Sequence, residues 1–382
     1  MTNLTRRQVL LGGTAIAAAS LITGIPKTPL TPRMKFMRDS LAADIPRPDY
    51  MVRLSSNENP YGPSRVALKA VHESMHLANR YQFRDHEPLL MQTVAEMNGV
   101  TPDHVVVGTG SGEILSTVGM LTGMRGGSVV CADPTFQSLL LYADMAGVEI
   151  IRVPVNEGLD ANLDGMRAAL RDDTSLVYLV NPNNPIPNVI EGRSMREFVL
   201  EMAEDHLVFV DEAYHEYVED PSYESMIGLI AEGHNNIIVS RTASKIYGLA
   251  GLRVGFGYAH PDLIQEMRWR KTGQNTILGI VAAHASYLDD EFPKFSIRKN
   301  QESKAIVAKM CDELGLRYVK SNTNFTFIQT GMDNETLQSQ MGEYGILTGR
   351  NFPPFNNEWS RISMSKPEEM EYFVQVYKTH FT

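Results

Sequence analysis

One lysine in the chain, Lys245, sits among the small hydroxyl residues Thr242 and Ser244, with glycines after it and Arg253 eight positions on. An apolar run, Ile237-Ile238-Val239, leads into this stretch and reads as a buried strand. A lysine held near cations and partly out of water loses its proton more readily, and its neutral amine attacks aldehydes. Thr242, Ser244 and Arg253 supply two hydroxyls and a guanidinium, which are donors suited to a phosphate. An aldehyde and a phosphate on one molecule point to pyridoxal 5′-phosphate (PLP). A serine- and glycine-rich loop with a solvated lysine has the same composition.

The elements that must position these residues alternate between strand and helix. Apolar runs at Val105–Val107, Ser128–Cys131, Leu176–Val180, Leu207–Val210, Ile237–Val239 and Val254–Phe256 are mostly continuous, not alternating. That is the pattern of a mainly parallel sheet, here expected to have seven strands, covered by helices on both faces. A helix carrying Ile114, Leu115, Val118 and Leu121 on one side follows the first run. Upstream, Ser64 reads as the cap of a helix with Leu68, Val71 and Met75 at helical spacing, and a second helix runs from Leu89 to Met97. From about residue 285 the pattern changes. It gives a helix over Ser303–Leu314, a strand over Phe325–Ile328, a helix over Glu335–Tyr344, a strand over Arg361–Met364 and an amphipathic helix over Glu368–Tyr377. The expected organisation is an N-terminal arm (26–60), a large α/β domain (61–285) and a smaller α/β domain (286–382), with the arm packed against the last.

Open parallel sheets bind ligands beyond the carboxyl ends of their strands, and the polar clusters fall at such ends. Gly110-Ser111-Gly112-Glu113 opens a helix whose amides can cradle a phosphate, although a tight turn has the same residues. In Asn181-Pro182-Asn183-Asn184-Pro185, Asn184 can bond a ring oxygen; a plain turn is the alternative. Asp211, at the tip of its strand in Asp211-Glu212-Ala213-Tyr214, needs a cation or hydrogen bonds to stay charged in a buried place. A protonated pyridine nitrogen would serve, and helix capping is the other reading.

Composition excludes some partners. The chain has 382 residues, a formal charge of −10 and 43% hydrophobic residues, so it is globular and poorly suited to nucleic acid or anionic membranes. Cys131 and Cys311 lack metal-ligand spacing and read as buried thiols. The first 25 residues read as an export signal instead of fold. Arg6-Arg7 is a twin arginine ahead of an uncharged run from Leu10 to about Ile25, which is short of the roughly 20 apolar residues that span a bilayer. This predicts a periplasmic location, or a cytoplasmic one where the signal is not functional.

The polar clusters occur in an order that resembles the fold-type I PLP enzymes, and most closely the histidinol-phosphate aminotransferase group of the class I/II aminotransferases. Three stretches carry the resemblance: Ser56-Asn57-Glu58-Asn59-Pro60-Tyr61-Gly62-Pro63, Asp211-Glu212-Ala213-Tyr214, and Ser244-Lys245-Ile246-Tyr247-Gly248-Leu249-Ala250-Gly251-Leu252-Arg253. It extends over about residues 50 to 382. The resemblance implies that Lys245 forms the internal aldimine and then acts as general base. It implies that Asp211 pairs with the pyridine nitrogen, that Asn184 and Tyr214 bond the phenolic oxygen, and that Phe136 stacks on the ring. Ser111, Gly112, Thr242, Ser244 and Arg253 would hold the phosphate, and Tyr81 would reach the phosphate of a neighbouring subunit in a homodimer. Arg361 would clamp the substrate carboxylate, with Asn57 also on the substrate. Apart from the resemblance, Arg350 in Thr348-Gly349-Arg350-Asn351 reads equally as a contact to a distal anionic group and as a solvated loop residue.

The chain departs from the family's usual pattern at Ile186-Pro187 after the Asn-Pro loop, at Gly112, at Ala243 and at Gln82. These departures bear on the substrate more than on the reaction. The implied activity is amino transfer between an L-amino acid, or a histidinol-phosphate-like amine, and a 2-oxo acid. A PLP-dependent oxidase or lyase on the same fold, and an inactive binding homologue, are the alternatives.

Overall fold

The computed structural model describes residues 48–81 and 85–381. In chain order the strands are β1 (Val52–Leu54), β2 (Val105–Gly108), β3 (Ser128–Asp133), β4 (Glu149–Pro154), β5 (Thr174–Val180), β6 (Leu207–Asp211), β7 (Ile237–Thr242), β8 (Gly255–Ala259), β9 (Phe325–Gln329), β10 (Ile346–Thr348) and β11 (Trp359–Ser363). Seven of them form one sheet in the order β2-β8-β7-β6-β5-β3-β4. Strands β3 to β7 run parallel, and β8 is antiparallel to both its neighbours. The expected mainly parallel seven-stranded sheet is therefore present.

Burial explains the continuous apolar runs. Helices Ser111–Arg125, Ser138–Met145 and Pro261–Arg270 cover one face, packing Ile114, Val118, Leu139 and Ile264 on Phe209 and Ile238. The other face packs Val177, Val208 and Val239 under Phe198, Leu229 and Ile280 from helices Gly192–Ala203, Ile227–Ala231 and Ile277–Tyr287. Each fully buried aliphatic side chain contributes roughly 1.5–3 kcal/mol. With side chains needed on both faces, polar residues are pushed to the strand tips.

Beyond the sheet, helix Glu291–Leu314 lies beside the closing helix Pro367–His380, which buries Met370, Phe373, Val376 and Tyr377. Strand β11 pairs antiparallel with β9. The arm joins this part, because β1 pairs in parallel with β10, Val52 opposite Ile346.

Several elements differ from the sequence expectation. Strand β4 was not anticipated: Glu149 and Arg152 interrupt its apolar run, as an edge strand allows. The helix expected from Ser303 starts at Glu291, since Pro293 stands in the first turn, where its missing N–H is not needed. In helix Arg65–Ser74, which Ser64 caps by accepting from the Ala67 amide, Ala67 is the buried residue while Leu68 lies exposed. Cys131 and Cys311 are buried and unpaired, and burial pushes both thiols up to about 12. The twin-arginine stretch and most of the arm fall outside the described residues. Among the described residues no helix is long and apolar enough to cross a membrane.

Candidate active site

The tips of β2, β5, β6 and β7 converge with the arm and β11. Strands β6 and β7 are in register with Asp211 level with Ser240. Asp211 is 2% exposed; its Oδ1 accepts from Ser240 Oγ at 2.8 Å, and it also accepts from the Ala213 amide. Burial raises this carboxyl to about 6 against those donors and against Lys245. It has no paired cation among the described residues, which leaves room for one from a ligand. The adjacent Glu212 faces the other way and forms a buried pair with Arg241, reinforced by Ser225 Oγ and the Met226 amide.

Lys245 follows β7 on a tight turn. Its Nζ donates to the backbone oxygens of Ser56 (3.3 Å) and Asn57 (3.2 Å) and lies 5.5 Å from the centre of the Tyr214 ring. Among the described residues no carboxylate forms an ion pair with it, which leaves the amine to a ligand. The turn depends on Gly248, at φ +67°, because a Cβ there would lie 2.2 Å from the Gly62 carbonyl oxygen.

The residues expected to donate to a phosphate also gather. Thr242 Oγ1 donates to Ser244 Oγ at 2.9 Å, and Arg253 Nη1 reaches Ser244 Oγ at 3.4 Å. Arg253 Nη2 approaches the Thr109 carbonyl, just before the fifteen-residue helix that begins at Ser111. Gly110, at φ +78°, makes this approach possible, since a Cβ there would lie 2.2 Å from Arg253 Nη2. Exposed N–H groups and the positive end of a helix suit a phosphate. Two residues to which the sequence reading gave no role hold this cup. Glu113 takes the Thr109 and Gly273 amides, and Asn275 donates to the carbonyls of Gly108 and Arg253. Contacts of this kind join loops distant in sequence and leave no motif.

Asn184 and Arg361 meet directly: Arg361 Nη1 donates to Asn184 Oδ1 at 2.7 Å and Nη2 to the Ser55 carbonyl. Asn184 is thus left with its amide nitrogen as a free donor. Thr135 bonds Asn183, tying the half-buried Phe136 loop to the Asn-Pro loop. Both ends of the Asn57 amide are already in use, on Tyr214 and Ser363. Gly112 borders the cup, 4.0 Å from Arg253 Nη2 at its built Cβ. Tyr81 is 87% exposed and joins none of these contacts; Gln82 falls outside the described residues. A separate groove of about 530 Å³, lined in part by Lys304, Lys320 and Asp220, contains none of the converging residues.

A free amine, a cup of hydroxyl, guanidinium and amide donors, and a buried carboxylate without its own cation fit PLP at its aldehyde, phosphate and pyridinium ends. Fold and site together define a fold-type I PLP enzyme. The family model for aminotransferase class I and II matches residues 49–376, and the chain belongs to that family. It is 35% identical over 334 residues to a histidinol-phosphate aminotransferase of Brevibacillus brevis, covering 86% of this chain and 90% of that one. It is 33% identical to one of Halalkalibacterium halodurans, covering 84% and 86%. The crystal structure of histidinol-phosphate aminotransferase from Sinorhizobium meliloti in complex with pyridoxal-5′-phosphate superimposes with a TM-score of 0.79 at 25% identity, covering 94% of this chain and 96% of that one. The protein is a PLP-dependent aminotransferase.

Proposed function

We propose that the enzyme moves an amino group between a 2-oxo acid and an amino acid, or a histidinol-phosphate-like amine, whose far end is anionic. Arg361 carries this reading. The residue is 5% exposed, and its guanidinium has no carboxylate partner among the described residues and leaves Nε unpartnered. Burial lowers it to about 10. A buried, unpaired guanidinium favours a bidentate carboxylate or phosphate. Arg350 stands across the same aromatic ring: the two guanidinium carbons lie 5.0 Å and 4.8 Å from the centre of Phe352. That pair suits a substrate with two anionic groups, and the names of the relatives support a phosphate as one of them.

Bound PLP supplies an electrophilic carbon and an electron sink. Lys245 Nζ takes the α-proton and returns it. Asp211 would hold the proton on the pyridine nitrogen, and Asn184 and Tyr214 would donate to the phenolic oxygen. Phe136 would stack on the ring, while Ser111, Gly112, Thr242, Ser244 and Arg253 would hold the phosphate. Tyr81 reaches the site of a second copy; its exposure, and the exposed apolar Val66, Leu68, Met120 and Met124, support a homodimer. The arm and the two-domain division of residues 61–285 and 286–382 belong to the same reading. The twin arginine supports export to the periplasm, which a reporter fusion to residues 1–25 would test.

The deciding experiment titrates the PLP-loaded protein with histidinol phosphate and a panel of amino acids, without acceptor, while following the visible band and dissolved oxygen. Stable bleaching by a donor with a distal anion supports the proposal, and recovery on adding a 2-oxo acid completes it. Bleaching only by donors without such a group overturns the substrate class. Oxygen uptake with ammonia release would favour an oxidase.

A further inference from the structure

Behind Tyr214 runs a chain of hydrogen bonds whose direction is fixed. The backbone N–H of Asn57 can only donate, and it donates to Ser363 Oγ at 2.9 Å. Ser363 therefore keeps its own proton to give, and Asn57 Oδ1 takes it at 2.7 Å. With the amide oxygen so used, Asn57 Nδ2 faces Tyr214 and donates to Oη at 2.8 Å. A phenol has one proton. Because Asn57 donates to the oxygen, that proton must point away from Asn57. Asn57 is 1% and Tyr214 3% exposed, so bulk water does not compete.

The hub is held firmly. Asn57 adopts φ 53°, a left-handed conformation that asparagine tolerates better than most residues. Its carbonyl accepts from Asn324 Nδ2 at 3.0 Å and from Lys245 Nζ at 3.2 Å. Turning the amide over would present an N–H₂ to Ser363 Oγ, already an acceptor, and would draw the Tyr214 proton back toward Asn57.

We propose that Ser363 and Asn57 are positioning residues that hold the Tyr214 hydroxyl as a donor toward the phenolic oxygen of bound PLP. The inference rests on the reading above that Tyr214 faces that oxygen. Donation to an anionic oxygen favours its ionised form, so the relay lowers the pH at which the visible band of the bound cofactor changes. Ser363 lies two residues after Arg361 on β11, and alternate residues of a strand share a face. The strand that carries the substrate clamp thus also sets the direction of the tyrosine proton.

The test is the pH midpoint of the visible band in the PLP-loaded protein, for Asn57→Asp, Ser363→Ala, Tyr214→Phe and the two double variants with Tyr214→Phe. Asn57→Asp replaces a donor with an acceptor and is expected to raise the midpoint by about one pH unit; Ser363→Ala is expected to raise it by a few tenths. In the Tyr214→Phe background Ser363→Ala should add nothing, and Asn57→Asp should add only what its charge contributes. Shifts equal in both backgrounds, or none from either single variant, overturn the relay while leaving Tyr214 in place. An unchanged midpoint in Tyr214→Phe itself overturns the parent reading instead. Ser363→Ala keeps the test open should Asn57→Asp fail to fold.

Discussion

Asp211 and Ser240 stand level at the ends of two adjacent parallel strands, and the serine hydroxyl donates to the carboxylate at 2.8 Å. This buried carboxylate is raised from its ordinary 3.8 to about 6 in the protein without cofactor. The folded chain therefore binds a proton between about pH 4 and 6 that the unfolded chain has released. By linkage, stability is greatest below pH 4 for this group and falls as pH rises through 6, by up to about 3 kcal/mol. Thermal melts of the apo-protein against pH should show the fall, Asp211→Asn should remove it, and PLP loading should suppress it.

Lys245→Ala should bind PLP with an altered visible spectrum and lose at least about 10³-fold in turnover, since both the amine and the base disappear. Turnover close to that of the unaltered enzyme would remove Lys245 from the chemistry. Absorption spectra and single-turnover assays read both effects.

Arg361→Lys keeps charge but loses the planar fork. KM for carboxylate substrates should rise about 10- to 100-fold, the equivalent of roughly 1.5–3 kcal/mol for hydrogen bonds to a charged group. Arg350→Ala should raise KM for substrates with a distal anion and leave simple amino acids nearly unaffected, which steady-state kinetics on paired substrates would reveal.

Gly110→Ala places a methyl 2.2 Å from Arg253 Nη2 at a backbone φ of +78°. Arg253 must give way, so PLP affinity should fall about tenfold or more while the overall fold persists. Equilibrium dialysis against PLP measures the first, and circular dichroism the second.

Arg241 and Glu212 form a pair whose side chains are 9% and 1% exposed. Removing one partner strands a buried charge, so Arg241→Met should cost about 3–5 kcal/mol in urea unfolding. The double variant Arg241→Met/Glu212→Gln should recover part of that loss.

The sheet was legible because burial on both faces turns parallel strands into plain apolar runs. The strand-tip residues were legible because polar residues in these strands cluster at their ends. Asp211, Lys245 and Arg253 stood out by residue type and spacing, and the structure brings Asp211 and Lys245 to the same end of the sheet. Strand β4 could not, because an edge position tolerates Glu149 and Arg152. Ser240 carries a signal only in register, since its place opposite Asp211 emerges once β6 and β7 are aligned. Asn275 and Ser363 left none, because their partners lie in other loops of the chain, and Glu113, though part of the glycine cluster, gave no sign of its bond to the distant Gly273 amide. Asn57 was noticed for its motif, but its side chain points into the protein's own hydrogen bonds.

The loop Ser55–Asn57 and strand β11 hold each other across 306 positions of sequence. During synthesis the loop leaves the ribosome well before β11, and folding proceeds from the N-terminal side. The seven-stranded sheet can form while the pocket still lacks its wall. Docking of β11, and not folding of the sheet, is then the event that brings Arg361 to the substrate, and a nascent chain stalled before Trp359 would have the cofactor cup of the enzyme without its substrate clamp.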